Sequence, residues 1–156
     1  MSFILSSPAF RYGEPIPETF THDGSNVSPP LHWTDPPSGT KSLALIVDDP
    51  DAPGGTFVHW VLANLPPDRR DLPEKVATSE RLDEPAGAVN GRNSFGKTGY
   101  GGPKPPPGPP HRYYFKLYAL DTSFPVRSGA TKEYVEFAMK DHILASGELM
   151  GTYRHR

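Results

Sequence analysis

The chain contains no cysteine, which excludes disulfides, cysteine-held zinc and thiol catalysis. It has no run of 18 apolar residues, so no membrane-spanning helix is expected. The opening segment, Met1-Ser2-Phe3-Ile4-Leu5, lacks both a charged leader and a long apolar stretch. No secretory signal is therefore expected, and the cytoplasm is the default compartment. Charge of one sign is also missing. Sixteen basic residues against 18 acidic ones leave a net charge of -2, so there is no basic field for nucleic acid to follow. The first half leans acidic and the second basic, a mild asymmetry that surface solvation accounts for. Familiar catalytic signatures are absent too: no Gly-x-Ser-x-Gly elbow, no phosphate-binding Gly-x-x-x-x-Gly-Lys loop and no His-Glu-x-x-His. The glycine-rich segment Gly96 to Gly102 lacks the strand-then-helix context that nucleotide binding requires.

Proline and glycine are abundant instead. Twenty prolines and 15 glycines take more than a fifth of the 156 positions, a bias that leans toward disorder. Seventeen aromatic residues spread along the whole length argue the other way. No three-residue glycine period suggests collagen, and nothing repeats. The expectation is one loop-rich globular domain covering 1–156.

Three segments carry strand signals. Ser42-Leu43-Ala44-Leu45-Ile46-Val47 is a continuous apolar run suited to a strand buried on both faces. Thr56 to Leu65 is similar and closes at Pro66-Pro67. Arg112 to Leu120 alternates, with Tyr113, Phe115, Leu117 and Ala119 on one face. Weaker extended pieces lie near Phe3–Leu5, Phe10–Ile16 and Leu31–Trp33. The prolines stop at Pro125. Beyond it Val135, Ala138, Met139, His142, Ile143 and Ser146 recur at helical spacing, so a helix is predicted from a Thr131 cap to a Gly147 stop. Strands first and one late helix predict a mainly β protein, a β-sandwich with a few peripheral helices.

Three clusters could carry chemistry. Asp48-Asp49-Pro50-Asp51-Ala52-Pro53 follows the buried strand, and carboxylates so close need a cation, a histidine or a shared proton. The plain alternative is a solvated turn. His59 lies inside the next strand, where a structural role is the commoner fate. A short connection would nevertheless let Asp49 meet it and favour its charged form. The third cluster runs from Gly99 to Tyr113 through Pro103-Lys104-Pro105-Pro106-Pro107-Gly108-Pro109-Pro110. It reads either as a polyproline recognition peptide or as a stiff loop. In the loop reading, Gly101 and Gly102 amides would nest an anion, with His111 and Tyr113 on one strand face beside them. Arg92, Lys97, Lys104 and Arg112 surround this segment and would steer anions. A metal held by Asp49, Asp51, His59 and His111 is the rival chemistry, which spacing alone does not separate.

Several motifs, in order, resemble the phosphatidylethanolamine-binding protein family, also called Raf kinase inhibitor-like, and most closely its short bacterial and archaeal branch. They are Asp23-Gly24-Ser25-Asn26-Val27-Ser28-Pro29-Pro30-Leu31-His32-Trp33, Asp49-Pro50-Asp51-Ala52-Pro53, His59-Trp60, Asn93-Ser94-Phe95-Gly96, Gly99-Tyr100-Gly101-Gly102-Pro103 and His111-Arg112-Tyr113. The resemblance implies a two-sheet antiparallel Greek-key β-sandwich with a small anion pocket. It implies ligand-binding roles for Asp49, Asp51, His59, Gly101, Gly102, Pro103, His111 and Tyr113, with no metal, no cofactor and no catalytic residue. Phosphate or a phosphorylated head group is the implied ligand, and a kinase or protease the implied protein partner. Relatives of this length are often homodimers. The chain ends at Arg156 without the further C-terminal segment of mammalian members, and its Pro105–Pro110 tract is longer. The leading expectation is a non-enzymatic small-anion binder. The alternative is an enzyme acting on a phosphoester or ester with His59 or His111 as acid and base.

Overall fold

Branched and aromatic side chains pack well on a pleated surface, and this sets the frame of the molecule. The computed structural model describes residues 3–127 and 129–155; Met1 and Ser2 of the opening segment lie outside it. In chain order the elements are β1 (Leu5–Ser6), a 3-10 turn (Glu18–Phe20), β2 (Leu31–Trp33), β3 (Ser42–Asp49), β4 (Phe57–Leu65), β5 (Asp71–Leu72), β6 (Val89–Asn90), β7 (His111–Leu120), α1 (Lys132–Met139) and β8 (Ile143–Tyr153). Two antiparallel sheets form, one in the order β1-β2-β5 and one in the order β6-β4-β3-β7-β8. Strands β3, β4 and β6 lie side by side, and β7 returns along a long connection to the free side of β3. That is the spatial order of a Greek key.

The apolar faces decide the layers. Leu43, Leu45 and Val47 of β3 point between the sheets, where they meet Trp60, Leu62, Phe115 and Leu117 and the small sheet's Leu5, Leu31, Trp33 and Leu72. Ala44 and Ile46 point the other way, against Val61 and against Val135 and Met139 of α1. Strand β3 is thus buried on both faces, as its unbroken apolar run predicts.

The predicted helix is half right. Thr131 does cap it, its hydroxyl accepting the Tyr134 N–H at 3.2 Å. The helix ends at Met139, however, and Asp141 turns the chain through a left-handed conformation (φ 67°). From Ile143 the chain is β8, aligned with β7 from Leu120↔Ile143 to His111↔Tyr153. The helical spacing of His142, Ile143 and Ser146 competes there with a period-two pattern that buries Leu149, Gly151 and Tyr153. Pairing with β7 settles the contest. A Cβ at Gly147 would come within 2.7 Å of the Phe3 carbonyl oxygen, so this glycine serves a close strand crossing and not a helix stop.

Candidate functional site

Successive residues of a strand face opposite ways, and the two carboxylates at the end of β3 are separated by that rule. Asp48 continues the face of Ala44 and Ile46, and its buried carboxylate meets Lys132 at 3.1 Å and Lys116 at 3.6 Å. Asp49 continues the face of Leu45 and Val47 and enters the space between the sheets. Both its oxygens are engaged: Oδ1 accepts the Asp51 N–H at 2.7 Å, and Oδ2 lies 2.7 Å from His111 Nδ1. The carboxylate fixes the hydrogen of His111 on Nδ1 and leaves Nε2 for other partners.

A β-bulge places His59. Val47 pairs with Trp60 and Asp48 pairs with Val58, so His59 is the extra residue between them. Strict alternation from Trp60, which packs between the sheets, would turn His59 toward α1. The bulge re-aims it so that it joins Phe57 and Tyr113 on the inner face. Its Nδ1 donates to the Gly101 carbonyl at 2.6 Å. The Asp49–His59 pair that proximity suggests does not form, because His111 takes the carboxylate. Burial pushes the His59 pKa below its ordinary value, against the Gly101 hydrogen bond and the Asp49 charge, and keeps the ring neutral.

The loop from 91 to 110 supplies the rest. Asn93 organises its first turn, donating to the Gly99 carbonyl at 2.9 Å and accepting the N–H groups of Phe95 and Lys97. The Gly101 N–H donates to the His59 carbonyl at 2.9 Å, and the Gly102 N–H to Asn26 Oδ1 at 2.8 Å. These amides hold the loop down and are not presented to a ligand. A Cβ at Gly101 would sit 2.6 Å from the Phe95 ring, and one at Gly102 only 2.3 Å from the Phe20 carbonyl oxygen, so close approach demands glycine at both.

Together these pieces enclose a cavity of about 180 Å³. Asp49, His59, His111 and Tyr113 line it, with Phe57, Phe95 and Lys104 and with the proline walls Pro53, Pro105 and Pro106. Gly101, Gly102 and Pro103 are buried just beneath. Asp51 faces outward, clasped by Arg112 through Nη2 at 2.8 Å, Nε at 2.9 Å and its backbone N–H at 2.9 Å. Those bonds lower the Asp51 pKa to about 2 despite the opposing effect of burial. Tyr113 is almost fully buried and its hydroxyl has no hydrogen-bond partner among the described residues. Burial, and then the Asp49 and Asp51 charges, push its pKa up, so it remains a proton donor. Among the described residues no group of three or more acidic or histidine side chains converges as a metal site.

The sequence reading did not name Phe57, Phe95 or Asn26 as site residues. Phe57 precedes His59 by two on the same strand, and strand parity could have found it. Asn26 and Phe95 lie within segments the resemblance already singled out.

Comparison with known proteins gives one consistent picture. Residues 6–154 match the family model described as phosphatidylethanolamine-binding protein. A UPF0098 protein of Methanothermobacter thermautotrophicus is 50% identical over 150 residues, covering 96% of this chain and 97% of the relative. One from Chlamydia muridarum is 47% identical over 154 residues, with the same two coverages. Among solved structures, Escherichia coli YbcL, a member of the mammalian PEBP family, superposes with a TM-score of 0.93 at 36% identity and full coverage of both chains. The PEBP homologue CT736 of Chlamydia trachomatis gives 0.90 at 42% identity, covering 99% of each.

Proposed function

The chain belongs to the phosphatidylethanolamine-binding protein family, and from that footing we propose that its cavity binds a small anion, phosphate or a phosphorylated head group, without turning it over. The observation that carries this reading is the Tyr113 hydroxyl, a buried donor with no hydrogen-bond partner among the described residues. Such a group is costly unless something accepts its proton, and an anion in the adjoining cavity would do so. Lys104 adds a full positive charge at the wall, and His111 is oriented by Asp49 to offer Nε2. Ligand-sized pockets usually span roughly 300–1,000 Å³, so a cavity of about 180 Å³ suits a head group and not a larger molecule. Asp49, His59, His111 and Tyr113 would contact or border the ligand. Asp51, Gly101, Gly102 and Pro103 would shape the walls around it. On family grounds the proposal extends to modulation of a kinase or protease partner.

Calorimetry tests it. Inorganic phosphate should bind, and Lys104→Ala should weaken binding by about tenfold. Tyr113→Phe, which removes the unpartnered hydroxyl, should also weaken binding. Absence of binding, or binding that neither substitution weakens, sinks the reading. One feature favours a second: the Asp49–His111 pair has the geometry of an oriented general base. Turnover of phosphoesters or esters that disappears in His111→Ala would make the protein an enzyme.

A further inference from the structure

A neutral imidazole has one donor nitrogen and one acceptor nitrogen, and the partner of the first decides the role of the second. His59 Nδ1 lies 2.6 Å from the Gly101 carbonyl oxygen, which can only accept, so Nδ1 carries the hydrogen. The ring packs among those of Phe57, Tyr113 and Phe95, at centroid distances of 5.0, 5.2 and 5.6 Å, and the residue is only 3% exposed. Asp49, the carboxylate that could support a charge on it, is occupied by the Asp51 amide and by His111. Burial accordingly lowers the His59 pKa and leaves the imidazole neutral. Gly101 is buried beneath the cavity and His59 lines it, so the outer edge of the ring meets the cavity with Nε2 as a bare lone pair.

That acceptor stands among donors. The Lys104 ammonium can only donate, and the Tyr113 hydroxyl has its hydrogen uncommitted among the described residues. A fully deprotonated oxyanion satisfies both, yet it sets oxygen lone pairs against the lone pair of His59 Nε2. The buried acceptor is then left unpaired, which is costly. An oxyanion that keeps one hydrogen satisfies every group: its hydroxyl donates to Nε2, and its other oxygens accept from Tyr113 and Lys104. Inorganic phosphate keeps such a hydrogen at neutral pH. A phosphomonoester keeps it below its second pKa of about 6, whereas sulfate and phosphodiesters have none.

We propose that His59 Nε2 accepts a hydrogen bond from a protonated ligand oxygen, so that the cavity selects hydrogen phosphate and monoanionic phosphomonoesters over sulfate and phosphodiesters. The inference rests on the anion cavity proposed above and defines the protonation state of its ligand. His59 is then the residue that sets specificity, by a mismatch imposed on the wrong anion as much as by a bond to the right one.

Phosphate and sulfate are tetrahedral anions of similar size that differ at pH 7 in bearing a hydrogen. By calorimetry at that pH, phosphate should bind at least about tenfold tighter. His59→Asn keeps an amide donor for Gly101 but ends short of the Nε2 position, so the ratio should fall close to one. Tyr113→Phe removes a donor that both anions use; it should weaken both and preserve the ratio. Dimethyl phosphate, a diester with no hydrogen to give, should bind no tighter than sulfate. Equal affinities in the native protein, a ratio that survives His59→Asn or vanishes in Tyr113→Phe, or dimethyl phosphate that matches phosphate, each overturn the proton selection and leave the cavity reading intact. If none of the three anions binds, the cavity reading fails and takes this inference with it.

Discussion

His59 shows how one residue's chemistry follows from where its backbone puts it. Inserted at a bulge and bonded to the Gly101 carbonyl, it is held neutral by burial. A histidine with a lowered folded pKa contributes stability that is present above its unfolded value of about 6.5 and is lost as pH falls below it. The melting temperature should therefore decline between pH 7 and pH 5. His59→Gln keeps a donor for Gly101 but does not titrate, so its decline over that range should be shallower. Parallel melting curves for the two proteins would contradict a buried neutral His59. Tyr113, by contrast, owes its readiness as a donor to what it lacks: the phenol is protected from ionisation by burial and has no hydrogen-bond partner among the described residues.

At the scale of elements, the site depends on clasps between pieces distant in sequence. Arg112 at the head of β7 grips Asp51 in the β3–β4 connection, while Asp49 grips His111 one residue earlier. The two clasps fix the wall that carries Pro53 relative to the strand that carries Tyr113. Asp51 has its folded pKa lowered from 3.8 to about 2, so its contribution exists above pH 4 and disappears as pH falls toward 2. Asp51→Asn should be somewhat less stable at pH 7 and should lack that acid-dependent step in a chemical or thermal unfolding series. An unchanged acid limb would show that the clasp contributes nothing. The same scale explains the error over residues 140–147. Local spacing there is compatible with a helix, and only the ten-pair alignment with β7 makes the segment a strand.

Across the whole molecule, stability is unevenly distributed. Strand β3 lies between β4 and β7 and is covered on both faces, whereas β1, β2 and β5 are two or three residues long. Amide exchange should be slowest in β3, β4 and β7 and faster in the small sheet and in the loop 91–110. Uniform protection of both sheets would contradict this distribution. The arrangement sets the proline-walled loop on a rigid support, which is where binding residues are usually found. Among the described residues no helix is long and apolar enough to cross a membrane.

Three of the four long strands (β3, β4 and β7), the capped start of the helix, the common face of His111 and Tyr113 and the proline walls were all legible in the residues, because each depends on local periodicity or on backbone restriction. The family was legible too, since its motifs are ordered along the chain. Two things were decided only by the tertiary structure. The Asp49 carboxylate chose His111 over His59, and the glycine amides were taken by His59 and Asn26. Each is a competition between partners far apart in sequence, settled by a bulge, a close contact or a strand register. Local pattern carries no information about such choices, because their energies exist only once the sheets have closed.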